Sequence, residues 1–179
     1  MRKLNMDELN RVSVEEYNKL DKFPVICVLD NVRSQHNIGS IFRTSDAFRI
    51  SELYLCGITA TPPNREINKS ALGATESVKW QYFDDTCAAV DQLKKAGYKI
   101  IAIEQAKESI FLEDYVPGAS EKIALIFGNE VTGVSDNVMA MLDACIEIRQ
   151  FGTKHSFNVS VSAAIVLYHF YTRFTKYLV

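Results

Sequence analysis

Pro24-Val-Ile-Cys-Val-Leu-Asp30 is a nearly continuous apolar run, and the polar stretch Asn31-Val-Arg-Ser-Gln-His-Asn37 follows it directly. The run does not alternate between apolar and polar residues. A strand of that kind is covered on both faces, as in a parallel sheet flanked by helices. Residues 52–56, 98–103, 122–127 and 144–148 read the same way, with 78–83 a weaker strand. Between them 7–20, 37–48, 84–97 and 135–142 carry helical patterns, and a last one covers 157–178. Asp84-Asp85 opens one of these helices and Gly97 ends it, the expected capping asymmetry. Strand–helix alternation predicts an α/β fold. We expect a single domain over residues 21–179, a mostly parallel sheet flanked by helices, after a polar and largely helical extension over residues 1–20.

The chain has 179 residues, enough for one sizeable core, and its 47% hydrophobic and 23% charged residues are the balance of a globular domain. No apolar run reaches the ~18–20 residues that span a bilayer. No apolar stretch follows Arg2-Lys3, so a signal peptide is not expected. Cys27, Cys56, Cys87 and Cys145 are irregularly spaced and form no CxxC pair. They read as small buried hydrophobes in a reducing compartment, which places the chain in the cytoplasm. His36, His155 and His169 lack ligand spacing with cysteines or acids, so no metal is expected. Twenty Lys+Arg against twenty-two Asp+Glu leave a net charge of −2. A dedicated nucleic-acid binder carries a basic excess, so any such site here is a local patch or one completed by a second subunit.

Three polar segments carry the chemistry, each just after a predicted strand. Ligands in open α/β sheets gather at the carboxyl ends of strands, so the three point to one site. In the first, Asn31 to Phe48, Asn37 would cap a helix, with Ser40, Arg43 and Thr44 sharing one face. With Arg33 and His36 nearby, Arg43 makes an anion site, and phosphate is the natural anion. The competing reading is a surface pair of Arg43 with Asp46 or Glu52. The second segment runs from Phe127 through Gly128-Asn129-Glu130 and Gly133 to Ser135, which would cap a helix. Its glycines let the backbone approach a ligand, or mark an ordinary strand-to-helix turn. They match neither the dinucleotide fingerprint nor the P-loop. The third runs from Ile148 through Lys154 and His155 to Ser156-Phe-Asn158, where Ser156, Asn158 and Ser160 are either capping or functional groups. The helix after it has Val159, Ala163, Val166, Leu167, Phe170, Tyr171 and Phe174 at helical spacing and is apolar elsewhere in its first half. It fits a core helix, a subunit interface, or both; we prefer both.

Together these segments resemble the three signature motifs of the SpoU/TrmH branch of the SPOUT methyltransferases. The first looks like Asn37-Ile-Gly-Ser-Ile-Phe-Arg43, the second like Phe127-Gly-Asn-Glu-Val-Thr-Gly-Val-Ser135, the third like Ser156-Phe-Asn-Val-Ser-Val-Ser-Ala-Ala164. They occur in order between about residues 24 and 175. Lys69-Ser-Ala-Leu-Gly-Ala74 and Ile103-Glu-Gln105 are also similar to family segments.

The resemblance implies a C-terminal deep trefoil knot, S-adenosyl-L-methionine as cofactor, and a homodimer whose active sites use both subunits. It implies methylation of a ribose 2′-oxygen in transfer or ribosomal RNA, with transfer RNA preferred for so small a chain. Carried over, Arg43 is the catalytic arginine and Asn37 its motif partner. Glu130, Ser156 and Asn158 complete the catalytic set. Ile103, Gly128, Ile148 and Phe157 would cradle the cofactor. A guanidinium normally stays protonated. Arg43 is therefore expected to bind phosphate and stabilise the developing alkoxide, with the proton lost to water or another group. Phe157 stands where the family more often has Leu, and Phe151-Gly-Thr-Lys-His155 replaces a Met-x-Gly loop. Arg33, Arg49, Arg65, Lys69, Lys154 and His155 are the candidate RNA contacts. The rivals are a non-catalytic RNA-binding or assembly factor on the same fold, a small-molecule methyltransferase, and a Rossmann enzyme that would want a Gly-rich loop after the first strand.

Overall fold

The first apolar run forms a central strand buried on both faces, and the rest of the sheet is laid out around it. The structure, a computed structural model, describes residues 1–5, 7–118 and 121–175. In chain order α1 (Val14–Lys19) leads to β1 (Phe23–Asp30), α2 (Gln35–Ala47), β2 (Ile50–Cys56), α3 (Arg65–Ala71), α4 (Ala74–Ser77) and β3 (Trp80–Phe83). Then come α5 (Thr86–Lys95), β4 (Lys99–Ile103), β5 (Ile110–Phe111), β6 (Ile123–Phe127), α6 (Asp136–Met139), β7 (Ala144–Glu147) and α7 (Val159–Thr175). The strands form one parallel sheet in the order β3-β2-β1-β6-β4-β7-β5. Cys27 of β1 sits opposite Leu53 of β2 on one side and Leu125 of β6 on the other.

Strand periodicity divides the core in two. Val25, Cys27 and Leu29, with Leu53, Leu55, Leu125 and Phe127, face a layer built from Ile38, Ile41 and Phe42 of α2, Ile67 of α3, and Ala163, Val166, Leu167 and Phe170 of α7. Ile26 and Val28, with Ile100, Ala102, Ala124 and Ile126, face Ala89, Val90 and Leu93 of α5 and Val138 of α6. This is the α/β sandwich expected from unbroken apolar strands. Gly39 sets the spacing of one layer: a Cβ there would run into the Ile67 carbonyl oxygen and the Ser70 hydroxyl, so α2 and α3 meet backbone to backbone.

Six of the seven strands fall where the apolar runs put them; the two-residue β5 has no such run, and several helix ends differ from their expected positions. The helix expected over 37–48 begins at Gln35 and is capped by Ser34, whose hydroxyl accepts the Asn37 amide at 3.3 Å. Asn37 is thus inside the helix and free for another role. The pattern over 7–20 yields only α1, behind a Ser13–Glu16 capping box, and a short 3-10 turn at Asp7–Leu9. The pattern over 135–142 shortens to Asp136–Met139, and the Ser135 hydroxyl turns from capping to the Asp30 carboxylate at 2.6 Å. No periodicity announces α3 and α4, which follow a cis Pro62-Pro63 bond. The last helix is described to Thr175; residues 176–178 of its expected span lie outside the described residues. Among the described residues no helix is long and apolar enough to cross a membrane.

Candidate functional site

The three polar segments meet at the carboxyl ends of β1, β4, β6 and β7. Glu130, in the loop after β6, is the hub. Its carboxylate accepts the Arg33 amide at 2.9 Å, the Ser34 amide at 3.0 Å and the Asn37 side-chain NH2 at 2.9 Å. Asn37 in turn accepts the Asn158 side-chain NH2 at 3.1 Å. The Asn158 side-chain oxygen Oδ1 caps α7, accepting from the Ser160 amide at 2.8 Å and the Ser160 hydroxyl at 2.7 Å. A chain of side-chain hydrogen bonds therefore runs Glu130–Asn37–Asn158, one residue from each segment. Partial burial pushes the Glu130 carboxyl up, but the Arg33 amide, the Asn37 side chain and nearby amides outweigh it and hold it below its ordinary value.

Asp30, the last residue of β1, does the same work below the surface. It is fully buried and accepts the Asn31 side chain at 2.8 Å, the Thr86 hydroxyl at 2.6 Å, and the Ser135 amide and hydroxyl at 2.8 and 2.6 Å. Every lone-pair direction of that carboxylate is occupied, as burial of a charge requires.

Beside this network lies a cleft of about 690 Å³, a volume suited to a nucleoside-sized ligand. Ile103, Gly128, Ile148 and Phe157, the expected cofactor residues, all line it, together with Glu130, Ser156 and Asn158. Ser156 makes no hydrogen bond among the described residues, so the loop is not ordered by its side chain. Of the two readings of the glycines, the packing supports the tight strand-to-helix turn. Asn129 and Gly133 bridge antiparallel, with paired bonds of 3.0 and 2.9 Å. A Cβ at Gly128 would meet the backbone of Gly133 and Val134, and one at Gly133 (φ +71°) would meet the Glu104 carboxylate. Both glycines fold the cleft wall; the close approach is of the chain to itself.

Arg43 stands apart. It is exposed on α2, about 9 Å along the axis from Asn37 at 1.5 Å per residue. It is not among the cleft residues of its own chain. The surface pair with Asp46 or Glu52 does not form: Asp46 takes the Ser77 hydroxyl at 2.5 Å and Glu52 the Gln81 amide at 2.8 Å. Ser40 and Thr44, on the same face, bond back to the His36 and Ser40 carbonyls at 3.0 Å each. Arg43 forms no ion pair among the described residues.

The candidate RNA contacts scatter. Arg33 is exposed beside the hub, and Lys154 and His155 are exposed on the loop between β7 and α7, with His155 lining the cleft. Arg65 and Lys69 are exposed on α3, Lys69 in an ion pair with Glu66 at 2.7 Å. Arg49 lies at the other end of the sheet: its carbonyl takes the Phe23 amide at the start of β1, and its guanidinium lies 5.9 Å from the Phe23 ring. The structure thus separates Arg49 from the others, because a residue between a helix end and the next strand start belongs to the amino edge. Asp30, Glu104 and Gln105 were missed as site residues. Their signal was position, since each stands at or just past the carboxyl end of a buried strand. Among the described residues no group of three or more His, Cys, Asp or Glu is placed to hold a metal ion.

Known proteins resemble the chain in sequence and in fold. The sequence pattern of the SpoU rRNA methylase family matches residues 24–168. A tRNA (guanosine(18)-2'-O)-methyltransferase of Borreliella burgdorferi is 29% identical over 150 residues, with 83% of this chain and 66% of that protein covered. A 23S rRNA (guanosine-2'-O-)-methyltransferase of Neisseria meningitidis is 30% identical over 159 residues, covering 88% of this chain and 62% of that protein. The chain thus spans a little under two thirds of the length of both relatives. The crystal structure of the A. aeolicus TrmH/SpoU tRNA-modifying enzyme superposes with a TM-score of 0.80 at 26% identity, covering 91% of this chain and 81% of that one. With the motif segments joined in one site and the match extending over most of its length, the chain belongs to the SpoU rRNA methylase family.

Proposed function

We propose that the chain transfers a methyl group from S-adenosylmethionine to a ribose 2′-oxygen of structured RNA, with transfer RNA preferred over ribosomal RNA. The observation that carries this reading is the Glu130–Asn37–Asn158 hydrogen-bond chain, which fastens all three polar segments beside one nucleoside-sized cleft. Ile103, Ile148 and Phe157 offer apolar walls to an adenosine, and the folded-back Gly128–Gly133 turn lines the same cleft. When bound, the cofactor supplies a sulfonium methyl group open to attack. The chain's own part is to place the ribose oxygen in line with that carbon and to hold the neighbouring phosphate. Arg43 suits the phosphate and the developing alkoxide, as a fork of donors with a permanent charge. Glu130 is a positioning residue: its acceptor sites are spent on the segment that carries Asn37.

Because Arg43 is exposed and does not line its own cleft, its place in the reaction is in the cleft of a second subunit. A homodimer is supported by α7, whose outer side exposes Val161 and Tyr168 and half-buries Ile165. The C-terminal deep trefoil knot is supported by strand order: β6 enters between β1 and β4, and β7 between β4 and β5, all laid down earlier. Residues 21–179 form the methyltransferase domain and 1–20 an extension whose helix α1 lies against α4 and reaches the end of α2, where the Tyr17 hydroxyl donates to the Asp46 carbonyl at 3.1 Å. RNA contact falls to Arg33, Lys154 and His155 near the cleft, with Arg65 and Lys69 on α3. The four thiols are unpaired, in keeping with a cytoplasmic setting.

The test is methyl transfer from labelled cofactor to unmodified tRNA and, separately, to rRNA. Ribose methylation leaves an alkali-resistant dinucleotide and base methylation does not. We expect such a product from tRNA. Cofactor binding without transfer to either RNA would move the substrate elsewhere, and no binding at all would favour a non-catalytic RNA-binding factor.

A further inference from the structure

The two residues after β4 brace opposite walls of the cleft. The backbone of Glu104 is anchored to β7 by its amide, which donates to the Ile146 carbonyl at 3.0 Å, and by its carbonyl, which takes the Cys145 thiol at 3.4 Å. From that fixed base the Glu104 carboxylate reaches one wall, accepting the Val134 amide at 3.2 Å. The next side chain reaches the other wall: the Gln105 NH2 donates to the His155 carbonyl at 2.6 Å.

The wall that Gln105 holds is the loop 150–157. Its start is pinned by Arg149, which pairs with Glu113 at 2.7 Å and stacks 3.6 Å over the Phe111 ring. Its end is pinned by Asn158. Between those points the bond from Gln105 is the loop's one hydrogen bond among the described residues. The loop has no other cover: Phe151 is 91% exposed, and Lys154, Ser156 and Phe157 are exposed as well. Yet it supplies Gln150, His155, Ser156 and Phe157 to the cleft lining. A cleft wall held by one surface-accessible bond opens when that bond breaks.

We propose that Gln105 is the latch of the cleft: its carboxamide holds the 150–157 loop against the bound adenosyl ligand, and its release sets the rate at which that ligand leaves. This assignment rests on the cofactor reading of the cleft. Gln105 is a positioning residue, since it acts through the loop.

Gln105→Glu keeps the shape and removes the donor; Gln105→Met keeps the length and removes all polarity. The two readouts are trypsin cleavage after Lys154 in the ligand-free protein, followed by mass spectrometry, and dissociation of S-adenosylhomocysteine, followed by stopped flow. A neutral hydrogen bond of ordinary strength gives about a three- to tenfold rise in both rates for both variants. Association and the melting temperature should stay near wild type. Unchanged cleavage and unchanged dissociation in both variants, with the wild type binding normally, would overturn the latch alone. A wild type that did not bind S-adenosylhomocysteine would overturn the cofactor reading and this assignment with it.

Discussion

Glu130 shows how much of the site depends on single atoms. Its carboxylate receives two backbone amides from the turn between β1 and α2 and one side-chain amide from Asn37 in the first turn of α2. Glu130→Gln keeps the size but turns an NH2 group toward donors that need an acceptor. Breaking that match costs about 1 kcal/mol or more, which for a chain of this size lowers the melting point by about 2–4 °C. Turnover should fall further than stability, because Asn37 loses its anchor; a variant with wild-type melting and turnover would contradict the role. The carboxyl also leaves a signature in pH. Its donors hold it below the ordinary 4.5, so the folded chain takes up this proton less readily than the unfolded chain does. The resulting stability is complete above about pH 4.5 and is lost as pH falls through the folded value. Denaturation midpoints measured down to pH 3 should drop more steeply for wild type than for Glu130→Gln. At this scale the sequence was informative about identity and less so about action. Asn37 read as a cap and is a connector, and Ser135 read as a cap and is a partner of Asp30. Capping and connecting use the same short polar side chains, and only the fold decides between them.

Elements were legible where burial dictated them. β1, β2, β4, β6 and β7 lie under the apolar runs because a strand covered on both faces cannot afford polar residues. α3 and α4 are not legible in the sequence because Arg65–Ala71 buries only Ile67, Ser70 and Ala71 and shows no long stripe. The close approach of α2 to α3 hinges on a residue with no side chain. Gly39→Ala would push a methyl into the Ile67 carbonyl, which belongs to a helix backbone and has little room to retreat. We expect a loss of about 1–3 kcal/mol, read as a lower midpoint in urea with an unchanged slope. Wild-type stability would mean that α2 and α3 can separate at little cost. The same shift would tilt the first segment, so cofactor binding should weaken less than RNA methylation does.

At the scale of the whole molecule, strand order alone could not be read from the chain. The runs predict a parallel sheet but not that β7 lies between β4 and β5, since every buried strand presents the same apolar pattern. The outer side of α7 is likewise ambiguous in sequence: Val161 and Tyr168 look like core residues by type and stand exposed in one chain. If that side is the dimer interface, Tyr168→Asp should convert a dimer to a monomer in light scattering and abolish methylation. A dimer that survives Val161→Asp and Tyr168→Asp together would place the interface elsewhere. Arg43 supplies the central test, because it is essential to the proposed reaction yet lies outside its own cleft. The measurement is methyl transfer to tRNA by wild type, Arg43→Ala, Asn158→Ala, and an equal mixture of the two variants unfolded and refolded together. Each variant alone should be nearly inactive, about 100-fold down or more. The mixture should recover roughly a quarter of wild-type activity, since half the dimers carry one site made of an intact arginine and an intact cleft. Full activity in Arg43→Ala, or no recovery in the mixture, would contradict an active site completed by that arginine across the dimer.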